Sequence, residues 1–310
     1  MTGLQVACAA DEAYVAHSAA MLHSVLVHGG DDIQVHYLHG PAFPVESKHL
    51  LREMVEGNDG KIAFLRIPDE DVVGLPGMAY ITVPMWYRIF LPELLPHVDR
   101  VLYLDVDTIA VDSLDELWRT ELTDCFVAAV TNVFMRQDAA HPSALGLGRD
   151  RAYFNSGVLL MNLDEMRKDG CSRSLRELAL TQGSKLDWPD QDALNLVLGG
   201  RRRPLHPRWN CMNSVLNFPW SANVFGAGAV EEARHRPGIR HFEGPTLNKP
   251  WHYLCERTGR ELYLGHRLQT PWPELRMEGA TPAAVVKRWT RGARRRIADA
   301  RSRRDETVSA

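Results

Sequence analysis

The stretch VLYLDVDTIAVDSLDELW, residues 101–118, decides how the rest of the chain is read. Four apolar residues run straight into Asp105 and Asp107, and the chain then turns apolar again. Charged side chains are rarely buried unless they are paired or hold a metal. VLYL reads as a buried strand, and in an open parallel sheet ligands bind at the carboxyl ends of the strands. A spacing of two in extended chain puts both carboxylates on one face, where they repel unless a cation or strong donors offset them. Hard carboxylate oxygens suit Mg²⁺ or Mn²⁺. Two solvated turn aspartates fit the same letters, because Asp-x-Asp is a short motif.

Upstream, LQVACAA (4–10) is an apolar run that ends at Asp11, and HSAAMLHSVLVHG (17–29) has helical spacing closed by Gly29 and Gly30. IQVHYLHG (33–40) alternates as a strand, KHLLREMVEG (48–57) is an amphipathic helix, and KIAFLRI (61–67) is another strand. Strand, helix, strand, helix, strand is the cadence of a parallel sheet with helices on its faces. PMWYRIFLPELLP (84–96) reads as a short helix bounded by prolines. FVAAV (126–130) and FNSGVLLMNL (154–163) read as strands, and LREL (175–178) and DQDALNLVLGG (190–200) as helices. Beyond residue 205 the pattern fades into Trp-, Asn- and Pro-rich loops.

The bulk numbers bound the answer. At 310 residues the chain holds one large α/β domain or two modest ones. A net charge of -3 gives no electrostatic reason to expect nucleic acid as a partner. Five scattered cysteines without a CxxC pair argue against a disulfide framework or zinc knuckle. MTGLQVACAADEAY lacks a signal peptide's basic start and apolar run, and no run approaches the roughly 20 apolar residues of a membrane span. The expectation is a cytoplasmic protein. The end of the chain differs: residues 281–304 carry nine Lys and Arg against the single Asp299, with Val285, Trp289, Ala293 and Ile297 at intervals of four. A basic helix with one thin apolar stripe suits an anionic membrane surface, and a solvated basic tail is the plainer alternative.

A strand followed by Asp-x-Asp also opens the haloacid-dehalogenase-type phosphatases. That reading needs the motif near the domain start and a later acidic pair, whereas here Asp31 and Asp32 precede it. Three further segments favour another reading. FNSGVLLMNL puts Asn155, Ser156 and Gly157 at a strand edge; WPDQDALN puts Asp190, Gln191 and Asp192 at a helix start; RHFEGPTLNKPWH puts His241, Gly244, Lys249 and Trp251 in a loop. Taken in order with the aspartate pair, over about residues 4 to 255, they resemble the family 8 glycosyltransferases. These are retaining enzymes of the GT-A fold, and the bacterial lipooligosaccharide and lipopolysaccharide galactosyl- and glucosyltransferases are the nearest comparison.

The resemblance implies a mainly parallel α/β sheet with helices on both faces, forming a GT-A domain over residues 1–258. A connecting segment and basic amphipathic tail over 259–310 would follow. It implies transfer of a hexose from a nucleotide sugar, usually UDP-linked, to a glycan or lipid-linked acceptor, with peripheral attachment to the membrane's inner face. Asp105, Asp107 and His241 correspond to the metal ligands, with Mn²⁺ favoured by the imidazole and Mg²⁺ as the alternative. Asp11, Tyr14, Asp105, Val106, Gly244 and Lys249 correspond to nucleotide contacts. Arg88, Asn155, Ser156, Gly157, Asp190 and Gln191 correspond to donor-sugar contacts, with Gln191 and Asp190 as the catalytic pair. Each has a plainer reading too: a loop histidine, a solvated lysine, an N-cap aspartate, a glycine that allows close approach. Ala13 and Asn132 depart from the family pattern. The alternative of another class is a non-catalytic nucleotide-sugar-binding or membrane-scaffolding protein on the same fold.

Overall fold

A computed structural model describes residues 3–76, 83–148, 152–274 and 277–290. Ten strands occur among them: β1 Gln5–Ala9, β2 Gln34–His39, β3 Lys61–Arg66, β4 Arg100–Leu104, β5 Thr108–Ala110, β6 Val127–Thr131, β7 Phe154–Asn162, β8 Arg202–Pro204, β9 Cys211–Met212 and β10 Ile239–His241. Seven form the main sheet, in the order β3-β2-β1-β4-β7-β6-β8. A three-stranded sheet, β5-β10-β9, stands apart from it.

Strand alternation divides the main sheet's side chains between two cores. Val6, Cys8, Leu102, Leu104, Val158 and Leu160 face one core, where the helix Val15–His28 contributes Met21, Leu22 and Val25. Ala7, Val101, Tyr103, Leu159 and Met161 face the other, which is filled by Trp86, Ile89, Leu175 and Leu194. Both faces are therefore covered, as the near-continuous apolar runs require. Burying a Leu or Val side chain contributes roughly 1.5–3 kcal/mol, so both layers hold the sheet.

The strands are mainly parallel, as expected, with one informative exception. β7 runs antiparallel to both β4 and β6. Its start therefore lies beside the end of β4, with Leu104 opposite Val158, and the Asp105 N–H donates to the Gly157 carbonyl at 2.8 Å. Reversal of one strand thus brings Asn155–Gly157 to the aspartate pair.

Three local readings are corrected. Asp105 and Asp107 do not lie in extended chain: the Thr108 N–H donates to the Asp105 carbonyl at 3.1 Å, closing a tight turn that brings the two carboxylates together. Residues 83–90 form a 3₁₀ helix and only Leu91–Leu94 is α-helical; Pro84 and Pro92 supply no backbone donor, which favours short pieces. Beyond residue 205 the chain is not loop alone. It contains β9 and β10 and the helices Asn213–Asn217, Ser221–Phe225, Ala227–His235 and Arg260–Arg267. These are too short to show a period.

The helix Arg260–Arg267 lies just past residue 258 and packs on Val15–His28, where the Tyr263 hydroxyl bonds the His17 ring at 2.7 Å. Residues 282–290 are helical, with Val285 and Trp289 exposed. The rest of the expected basic helix, with Ala293 and Ile297, lies outside the described residues. Among the described residues no helix is long and apolar enough to cross a membrane.

Candidate active site

The turn after β4 presents Asp105 and Asp107, and β5 continues directly from it. β10 pairs antiparallel with β5, with His241 opposite Thr108, so the small sheet carries the imidazole to the aspartates. One ligand atom from each of Asp105, Asp107 and His241 lies within 4.8 Å of the others. His241 Nε2 is 3.3 Å from Asp107 Oδ1, and both side chains are buried. Two carboxylates and an imidazole within one cation's reach are a donor set that fits a divalent metal.

Gly157 belongs to this arrangement. A Cβ at that position would fall on the His241 ring and lie 2.9 Å from Asp105 Oδ2. The glycine lets the histidine and the aspartate approach β7.

Two cations already face the acidic pair. Lys249 Nζ donates to Asp107 Oδ2. Burial alone would raise the Asp107 carboxyl, but Lys249 and His241 reverse this and hold it well below the usual range. Arg88, buried over the Tyr103 ring, donates to Asp105 at 3.0 Å and to the Ser156 carbonyl at 2.6 Å, and lies 3.4 Å from Asp190. Burial pushes the Asp190 carboxyl up to about 6, with Asp105 adding to the rise and Arg88 opposing it.

The helix Pro189–Leu198 aims three consecutive side chains in three directions. Asp190 meets Arg88. Gln191 Oε1 accepts from the Ser156 N–H at 2.9 Å and from Asn155 Nδ2 at 3.1 Å. Asp192, fully buried, takes the His141 ring at 2.7 Å, the Tyr153 hydroxyl at 2.5 Å and the Trp188 N–H at 3.1 Å. Asp190 is not the N-cap of the plainer reading: Trp188 holds that position, and Asp192, one turn in, reaches back to its N–H.

Of the remaining sequence candidates, Asp11 accepts from the Tyr14 N–H at 3.3 Å, and the Tyr14 ring sits edge-on to Trp251. Val106 lies at the turn between the aspartates and packs against the apolar clusters on either side. Gly244 has φ +97°, a left-handed conformation open to glycine, and begins the loop that leads to Lys249.

Sequence reading missed several residues that build the site. Asn210, fully buried, accepts from the His241 ring at 2.8 Å and donates to Asn155 at 2.9 Å. Arg240 is buried and donates to the Cys211, His241 and Thr258 carbonyls and to Asn213 Oδ1, locking β10 to its surroundings. Glu243 accepts from the Asn213 and Ser214 N–H groups at 2.5 and 2.8 Å. His141 is held by Asp192. Single polar residues in aperiodic chain carry no sequence signal for these contacts.

Known proteins fit this architecture. The fold matches the crystal structure of the galactosyltransferase LgtC in complex with donor and acceptor sugar analogs. The TM-score is 0.77 at 26% identity, covering 86% of this chain and 96% of that one. The chain therefore has the GT-A fold and is a glycosyltransferase. Residues 5–255 match glycosyl transferase family 8, and the chain belongs to that family. General stress protein A of Bacillus subtilis (strain 168) is 25% identical over 276 residues, 87% of this chain and 94% of that protein. A lipopolysaccharide 1,2-glucosyltransferase of Escherichia coli is 25% identical over 266 residues, 84% and 77% of the two chains. The protein is a hexosyltransferase that takes its sugar from a nucleotide sugar.

Proposed function

We propose that this chain transfers a hexose from a UDP-sugar to a glycan or lipid-linked saccharide with retention of anomeric configuration, using Mn²⁺ held by Asp105, Asp107 and His241. The convergence of those three side chains within 4.8 Å carries the reading. When bound, such a cation acts as a Lewis acid on a departing diphosphate. Imidazole beside two carboxylates favours Mn²⁺ over Mg²⁺.

The protein's own groups supply the rest. Lys249 and the backbone near Gly244 are assigned to the diphosphate, where the lysine would add positive charge, and Asp11, Tyr14 and Val106 are assigned to the nucleoside side. Arg88, Asn155, Ser156, Gly157 and Asp190 are assigned to the donor sugar. Gln191 is neutral and its oxygen is committed to donors on Asn155 and Ser156, which makes it a poor nucleophile. This favours same-face attack, with the Gln191 amide dipole stabilising developing positive charge and Asp190 orienting a sugar hydroxyl. Residues 1–258 are proposed as the catalytic domain, with 259–310 as its C-terminal extension.

Two relatives support the acceptor class. One is a lipopolysaccharide 1,2-glucosyltransferase, and the other is a galactosyltransferase seen with an acceptor sugar analog. The segment 208–225 is assigned to shaping the acceptor pocket, and the Phe218 and Trp220 rings stack there at 4.8 Å. The exposed Trp289, on a segment with Lys287 and Arg288, supports peripheral contact with an anionic membrane. Deletion of 281–310 is expected to abolish co-sedimentation with anionic vesicles, and unchanged co-sedimentation counts against the contact.

The test of function is donor turnover. With Mn²⁺ the protein is expected to release UDP slowly from one UDP-hexose, to lose that activity in EDTA, and to give the retained anomer by NMR. A protein that binds UDP-sugars and never releases UDP is instead the non-catalytic binder on this fold.

A further inference from the structure

Two backbone donors at the start of β7 fix the polarity of a buried amide chain. The Ser156 N–H can only donate, so the Gln191 atom 2.9 Å from it is the oxygen. The Gly157 N–H can only donate, so the Asn155 atom 3.0 Å from it is also the oxygen, and Asn155 turns its NH₂ to Gln191 at 3.1 Å. The Asn210 atom 2.9 Å from that same Asn155 oxygen is therefore its NH₂. The Asn210 oxygen is then left for His241 Nδ1, at 2.8 Å. An acceptor at Nδ1 puts a ring proton there, so Nε2, the atom that faces Asp107 at 3.3 Å, is the nitrogen left for a metal once it gives up any proton of its own.

We infer that Asn210 is a positioning residue that holds His241 in the Nδ1–H tautomer, so that Nε2 stands ready as a metal ligand. Through Asn155 it also ties that ligand to Gln191. This rests on the assignment of Asp105, Asp107 and His241 as the cation's ligands, and it adds a residue that sequence reading missed. Asn210, Asn155 and His241 are all buried, which excludes water as a substitute partner. A histidine ligand's outer hydrogen bond fixes its ring and raises its basicity, and its loss costs about 10- to 100-fold in metal affinity.

The test reads tautomer and metal binding separately. In the metal-free protein labelled with ¹⁵N-histidine, long-range ¹H–¹⁵N correlation is expected to show a proton held on His241 Nδ1, the resonance being assigned by its loss in His241→Gln. Asn210→Leu keeps the branched shape and removes both hydrogen bonds; Mn²⁺ affinity by electron paramagnetic resonance is expected to fall about 10- to 100-fold. Asn210→Asp, which keeps an acceptor for Nδ1–H, is expected to restore most of that loss. A merely structural asparagine would lower the melting temperature of Asn210→Leu and leave Mn²⁺ affinity within about twofold of the wild type's, on the same scale of second-sphere effects. That result overturns the inference, as does an Nε2–H tautomer in the wild-type protein, which is decisive even if the variants fail to fold. Failure of the wild type to bind Mn²⁺ would instead remove the cation assignment, a distinct outcome.

Discussion

The site is assembled from two unlike halves. The main-sheet half, with Asp105, Asp107, Asn155–Gly157 and Gln191, sits on long buried strands and the start of a ten-residue helix, and backbone ladders hold it. In the small-sheet half His241 ends a three-residue strand, Asn210 ends a 3₁₀ turn just before the two-residue β9, and Lys249 follows another 3₁₀ turn. There, side chains do what ladders do elsewhere: Arg240 bonds three carbonyls, Glu243 takes two backbone N–H groups, and Asn248 accepts from Arg257 at 2.6 Å. One half is positioned by periodic burial and the other by individual polar contacts. The difference teaches that the proposed cation, held between the halves, would also fasten the less regular one to the more regular one.

The largest effect is expected from breaking the small-sheet side. His241→Ala removes one of the three proposed ligands and should lower Mn²⁺-dependent UDP release by about 1,000-fold, equal to several kcal/mol of lost charge stabilisation. UDP-release kinetics check this, and a change below about tenfold would mean that the main-sheet half holds the cation without help. Gln191→Ala breaks the main-sheet side without touching a ligand. It is expected to slow transfer by about 10- to 1000-fold with Mn²⁺ affinity unchanged, as loss of one stabilising contact does. A sugar covalently trapped on Asp190 would instead point to a double-displacement route.

The smallest effect sharpens the electrostatics of the main-sheet half. The Asp190 carboxyl lies at about 6 in the fold, chiefly through burial, and near 3.9 in the unfolded chain. A raised carboxyl binds its proton more tightly when folded, so ionisation costs stability as pH rises through that window. Asp190→Asn escapes that cost. Its stability relative to wild type is expected to grow between pH 4 and pH 7 by up to about 3 kcal/mol. Urea unfolding at several pH values checks this, and a pH-independent difference would mean that Arg88 fully offsets the burial.

The same contrast explains what the sequence makes legible. The parallel core reads directly from LQVACAA, IQVHYLHG and VLYL, because burial on both faces leaves continuous apolar runs. The aspartate pair, Asn155–Gly157 and Asp190–Gln191 stand out as polar residues at the ends of such runs. The antiparallel course of β7 does not read out, since an apolar run has no direction. His241 and Lys249 emerge only from resemblance to a family, because nothing in RHFEGPTLNKPWH has a period. Asn210, Arg240 and Glu243 stay silent altogether: each acts through one or a few hydrogen bonds between residues distant in sequence, and no local pattern encodes such a pairing.

The central claim is a divalent cation gripped by both halves at once. Anomalous diffraction from crystals grown with Mn²⁺ and UDP tests it most directly. The account predicts one strong manganese peak in contact with the carboxylates of Asp105 and Asp107 and with His241 Nε2. A peak on the aspartates alone, with the His241 ring turned away from the ion, would contradict it.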